Sequence, residues 1–161
     1  MSNEQQEIRI IAAALDETPL RGGSVILRGV VDPLHLQFLK IDDYQRDAKP
    51  VSPLSSIWTA IKDGEALPDI ELGMRGQKYR EGKDGSILLQ NSVYIIDGLQ
   101  RVTAAKRFLE EMPGDVHLGA VIHFDTDKKW ERERFRILNT TQSKVNVNVL
   151  LRNLREESPM L

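Results

Sequence analysis

Between Asp97 and Thr103, in the run "DGLQRVT", the chain gathers a carboxylate, a glycine, an amide, a guanidinium and a hydroxyl. The stretch just before it, "SVYIID", is short, apolar and β-branched. After it, Leu99, Val102, Ala105, Phe108 (with Leu109) and Met112 recur at helical spacing until Pro113-Gly114 stops them. The polar group therefore stands where a strand turns into a helix. The first N–H groups of a helix lack carbonyl partners, and the macrodipole adds partial positive charge beside them. An anion is favoured there, and Gly98 lets a phosphate approach the backbone closely. Arg101 in the first turn opposes the dipole, an objection that a bound anion removes; Thr103 adds a hydroxyl. The same residues also suit a plain corner, with Asp97 as cap, Gly98 as turn and Arg101 in water.

Two other polar segments bear on that choice. "DDYQRD" (Asp42 to Asp47) places Gln45 and Arg46 after an apolar stretch, and "RILNTTQSKVN" (Arg136 to Asn146) is an amide- and hydroxyl-rich break between helices. Each alone reads as a solvated loop or a capped helix end.

In this order, "IDDYQRD", "DGLQRVTAA" and "LNTTQSKV" resemble the three boxes of the ParB/sulfiredoxin-fold superfamily. Gln45-Arg46 fits its N-P-x-Q-P-R-like first box, Gly98, Arg101 and Ala104 its G-x-R-R-x-x-A-like second, and Asn139 with Gln142 its E-N-x-x-R-like third. The nearest branch is the DGQHR type, which holds DndB-like proteins and NTP-dependent restriction nucleases. Asp97, Gly98, Gln100 and Arg101 keep its hallmark, with Leu99 inserted in place of its first glutamine. The resemblance covers roughly residues 24 to 154.

What the resemblance implies is an α+β fold, a mixed sheet flanked by helices, that binds a nucleoside triphosphate (ATP, CTP or GTP) with Mg²⁺. Carried over, Gly98, Gln100, Arg101 and Thr103 touch phosphates, Gln45 and Arg46 close from the facing loop, and Asn139 and Gln142 complete the nucleotide site. Asp97 and Asn139 orient a metal or a water, and Asp97, Gln100 and Arg101 serve catalysis where the nucleotide is hydrolysed. The implied role is a DNA-associated regulatory domain of a bacterial DNA-modification, defence or plasmid system, reaching DNA directly or through a partner protein. Two alternatives stand beside it. One is an NTPase or nuclease component of a restriction system; the other is a non-catalytic DNA- or protein-binding module using Arg46, Arg101, Lys106, Arg107 and the helix around Lys128 to Arg136. The sequence departs from the family at Leu138, where an acid precedes the asparagine, and the first box lacks its prolines. Sulfiredoxin chemistry is excluded because the chain has no cysteine. Neither a helix-turn-helix nor a His-His-Asn nuclease motif is evident.

Composition narrows the classes. A net charge of −2 removes a globally basic surface and leaves only a local basic stripe for nucleic acid. The lack of cysteine excludes disulfides and thiolate metal sites and fits a reducing cytoplasm. His35, His117 and His123 are scattered, which reads as structural or surface histidine rather than zinc. No run approaches the roughly 18 apolar residues of a membrane span, and "MSNEQQEIRI" lacks the basic and apolar regions of a secretory signal. Oligomeric state is open.

The elements that must position these residues follow from period and turn chemistry. Residues 1–23 form an N-terminal segment in which "EIRII" suits helix or strand, 24–145 the main domain, and 146–161 a helix that could start a further helical part. "GGSVILRGVV" reads as a strand, and "LHLQFLKI" as strand or extended chain. Leu54, Ile57, Trp58 and Ile61 mark a helix with Ser52 as cap, Pro53 at its first position and Gly64 at its end. "PDIELGM" is a strand, Asp84-Gly85 the turn of a hairpin, and "VHLGAVIHF" a central strand covered on both faces. "TDKKWERERFRILN" is a charged helix with Trp130, Phe135 and Leu138 inward and its alternating charges in solvent. Val147, Leu150, Leu151 and Leu154, capped by Asn146, give a last helix.

Overall fold

The computed structural model describes residues 6–17, 25–47, 54–111 and 116–140. The expected cap Ser52 and first-position Pro53, the Met112 to Gly114 stop, Gln142 and the helix from Asn146 lie outside these residues, as does the side chain of Arg46.

Among the described residues seven strands form one mixed sheet: β1 (Ile8–Asp16), β2 (Ile26–Val31), β3 (Ile70–Arg75), β4 (Tyr79–Glu81), β5 (Ile87–Leu89), β6 (Ser92–Asp97) and β7 (Leu118–Phe124). Their order is β4-β5-β1-β2-β7-β3-β6, antiparallel throughout except for the parallel pair β3 and β7. The helices are α1 (Leu54–Lys62), α2 (Leu99–Glu111) and α3 (128–140). This is the expected α+β fold. The open N-terminal segment resolves as β1, held between β2 and β5 inside the sheet.

Alternation along β3 assigns the layers. Ile70, Leu72 and Met74 are fully buried in the main core with Val102, Ala105 and Phe108 of α2. Trp58 of α1 meets Phe108 edge-on at 5.5 Å, so α1 and α2 cover one face together. Glu71, Gly73 and Arg75 point to the other face, which α3 covers. The sheet also curls: Tyr79 on edge strand β4 packs 5.6 Å from Phe124 on β7, four places along the strand order.

The hairpin forms as expected, with Gly85 at φ +81° and the Asp84 carboxylate accepting from the Ser86 amide and hydroxyl. β7 is central but alternates buried and half-buried residues, because α3 covers only part of its second face. "LHLQFLKI" is not extended: Pro33–Phe38 is a 3-10 helix. Pro33 fits its first position and the Asp32 carboxylate accepts the Leu34 N–H at 3.0 Å, so local capping overrides the alternating pattern. Lys40 alone keeps strand character, bridging to Tyr94 on edge strand β6.

α3 approaches the sheet over Gly73. A β-carbon there would lie 2.7 Å from Thr126 Oγ1 and 3.1 Å from Glu131 Cγ. Strand propensity favours alanine over glycine by roughly 0.5–1 kcal/mol, but the overlap outweighs it, by about 1–3 kcal/mol for overpacking. Gly73→Ala is therefore expected to lower the urea midpoint, whereas Gly64→Ala, where nothing lies within 4 Å, loses only the cost of its φ of +72°.

Candidate functional site

β6 ends at Asp97, and Gly98 turns the chain at φ +106°, a conformation L side chains rarely adopt. A β-carbon at Gly98 would lie 2.4 Å from Ile70 Cγ2, so the corner needs glycine for conformation and for space. The first helical bond runs from the Val102 N–H to Gly98 O at 3.0 Å. The N–H groups of Leu99, Gln100 and Arg101 therefore have no acceptor inside α2.

The side chains around the corner are committed differently. Arg101 donates to Pro68 O at 2.7 Å and Asp69 O at 3.1 Å, and its other terminal nitrogen lies 3.1 Å from Asp97. The guanidinium thus ties α2 to the chain entering β3. Thr103 donates its hydroxyl to Leu99 O at 2.8 Å. Gln100 is half-buried.

The 3-10 helix Asp43–Asp47 faces this corner across edge strand β6. Gln45 is buried, and its amide nitrogen donates to Ile95 O at 2.6 Å and Ile96 O at 3.0 Å, covering the carbonyls at the end of that strand. Between the two segments lies a cavity of about 470 Å³ lined by Ile41, Asp42, Asp43, Gln45 and Leu99. The third segment joins through packing: Tyr44, Ile96, Phe135 and Leu138 make a small core on the α3 side of the sheet. Asn139, half-buried, follows Leu138 near the end of the described α3. Packing thus joins the Gln45 turn, the end of β6 and the Phe135–Leu138 stretch of α3, while Gly98, Gln100, Arg101, Thr103 and Asn139 are not among the residues that line the cavity. Among the described residues no group of three His, Asp or Glu side chains is placed to hold a metal, so Asp97 and Asn139 belong to no such cluster.

Sequence reasoning missed the charge network beneath this site. Glu131 is fully buried, and Arg75 grips its carboxylate with two nitrogens at 2.9 and 2.7 Å. Tyr44 Oη lies 3.0 Å from the same carboxylate and 3.2 Å from Ile95 O, and Thr126 donates to it at 2.8 Å. Arg75 also reaches Asp42 at 2.8 Å and stacks 3.5 Å over the Tyr94 ring. The hydrogen bond from Arg75, then the Asp43 amide and Lys128, hold the Asp42 carboxyl down to about 2. Burial, reinforced by Glu131, pushes the Tyr44 phenol far above its ordinary value, so it stays a donor. A signal existed: Glu131, Phe135 and Leu138 share one helical face at i, i+4 and i+7. Sign alternation concealed it. Trp130, expected inward, is 43% exposed and packs its ring 4.9 Å from His123.

A second polar group lies one step along β3. Glu71 accepts from Arg134 and pairs with the His123 ring. Burial raises its carboxyl, but the bonds from His123 and Arg134 outweigh that and leave it below the usual range.

No protein-family model, curated protein or solved structure matches the chain. The resemblance to ParB-like boxes rests on the residues themselves.

Two measurements probe the network. Removing one partner of a buried pair typically costs about 3–5 kcal/mol, so Glu131→Ala is expected to lower unfolding free energy in that range. Because the folded-state value of Asp42 is depressed, its contribution is complete above the unfolded value near 4 and is lost as pH falls toward about 2. The stability gap between the native chain and Asp42→Asn should therefore close over that interval. A gap that is constant from pH 5 to roughly 2 contradicts it.

Proposed function

We propose that this domain binds a nucleoside triphosphate at the corner between β6 and α2 and acts as a DNA-associated regulatory domain of the ParB/DGQHR type. The observation that carries the reading is the cavity shared by the Asp42–Gln45 loop and the first residue of α2. It lies beside N–H groups that have no acceptor in their own helix, at a corner where Gly98 keeps the backbone uncovered.

In this reading the phosphates sit on the N–H groups of Leu99 to Arg101, with Gln100 at their edge. Ile41 and Leu99 offer apolar walls to a base. Asp42 and Asp43 would repel a bare phosphate, so the triphosphate would need Mg²⁺ as its counter-ion, and the more exposed Asp43 would meet the ion's water shell by giving up its 2.9 Å pair with Lys128. Arg101 holds the corner in shape through the Pro68 and Asp69 carbonyls, and reaches a phosphate only by exchanging one of those bonds for it.

Calorimetry with ATP, CTP and GTP, each with Mg²⁺, tests the site. One of the three is expected to bind, and Gln100→Ala to weaken it by about tenfold, roughly 1.4 kcal/mol. Arg101→Ala is read together with its melting temperature. A lower melting temperature with unchanged affinity makes Arg101 a tether alone, and no heat from any nucleotide rules the reading out.

A further inference from the structure

The charges of α3 alternate in sequence but segregate in space. Residues 131, 134, 135, 138 and 139 are buried or half-buried, while 128, 129, 130, 132, 133, 136, 137 and 140 are exposed. Glu131 is the acid withdrawn into the sheet, where Arg75 neutralises it. What remains outside is Lys128, Lys129, Arg132 and Arg136 against Glu133 alone. Lys128 is turned to Asp42 and Asp43, and Glu133 pairs with Arg136 at 3.2 Å. Among the described residues neither Lys129 nor Arg132 has an ion-pair partner.

We infer that the outer face of α3 is a nucleic-acid-binding surface, with Lys129, Arg132 and Arg136 set against the phosphate backbone. These three fall at i, i+3 and i+7 and share one side of the helix. At 1.5 Å per residue they span about 10 Å, long enough to meet more than one backbone phosphate. Trp130 and Ile137, 43% and 52% exposed, run along one flank of this stripe. Trp130 already leans on His123 and offers its outer surface to a sugar or base. An anionic membrane fits less well. A membrane-lying helix puts a broad apolar stripe outward, and here Phe135 and Leu138 are packed inward, leaving Trp130 and Ile137 as its outward apolar side chains. The sequence-wide charge of −2 does not weaken the surface, because contacts to phosphates are local and act through counterion release.

The inference rests on the DNA-association half of the function proposed above and names the face that does it. Fluorescence anisotropy of a labelled duplex and a labelled single strand, with the full chain and no nucleotide, tests it. The native chain is expected to bind with affinity falling steeply between about 50 and 200 mM salt. The triple variant Lys129→Gln, Arg132→Gln, Arg136→Gln should bind at least about tenfold more weakly, its log–log salt slope reduced by about 0.9 for each contact removed. A control triple of equal charge on other exposed lysines, Lys62→Gln, Lys78→Gln, Lys83→Gln, should bind as the native chain does. Absence of binding to either nucleic acid, an unchanged triple variant, or an equal loss in the control overturns the inference. So does binding to phosphatidylserine vesicles without binding to nucleic acid. Calorimetry with nucleotide on the same triple variant separates the two readings. Lost DNA affinity with unchanged nucleotide affinity supports the α3 face. DNA binding that depends on these residues, in a chain that takes no nucleotide, removes the nucleotide site and leaves this face standing.

Discussion

The fold turns on the buried carboxylate of Glu131. Glu131 has no access to water, so its charge must be met inside the protein, and Arg75, Tyr44 and Thr126 all converge on it. Those partners come from β3, from the Asp43–Asp47 turn and from the segment after β7. One side chain therefore fixes the helix, the sheet and the loop relative to one another. Buried ion pairs contribute little net stability compared with apolar packing, since desolvation offsets most of the attraction. Their value is geometric: a helix slipped by one residue would leave a carboxylate and a guanidinium unpaired, so the register of α3 is strongly selected.

The corner at Gly98 shows a similar division between holding and binding. Arg101 spends two bonds on carbonyls that precede β3, and Gln45 spends its amide on carbonyls that end β6. Both are residues whose type suggests ligand contact, yet both act here as struts. What they hold open is backbone: the first N–H groups of α2 and the cavity beside them. A ligand that used those groups would meet a site already shaped, which lowers the ordering cost of binding.

Much of this was legible in the residues. The strands from β2 onward, the α1 and α2 helices, the Asp84-Gly85 hairpin and the turn at Gly98 follow from period and turn chemistry, because they are local properties; β1 stayed open between helix and strand, and Trp130 was expected inward. Two further features were hidden. The Pro33–Phe38 turn was hidden by an apparent alternation, and only the cap at Asp32 reveals it. Glu131 was hidden by its neighbours' charges, since helical sign alternation ordinarily marks a solvated face. Whether an acid in such a run turns inward depends on a distant partner, here Arg75 on β3, and single-sequence periodicity carries no information about that pairing.

The same burial links the interior to the surface. Had Glu131 faced water, it would offset part of the basic charge of α3 and weaken the attraction for a polyanion. Drawn into the sheet, it neutralises Arg75 and, through that arginine, is joined to Asp42 at the rim of the cavity. The outer stripe of Lys129, Arg132 and Arg136 is left without a counterweight from its own inner face. A disturbance at Asp42 is thus two bonds from the carboxylate that seats α3, and the helix that carries the basic stripe is seated on the network that borders the cavity. Coupling between a ligand in that cavity and a polyanion on α3 would require nothing beyond this chain of contacts, provided α3 has a second seating to which the network can yield.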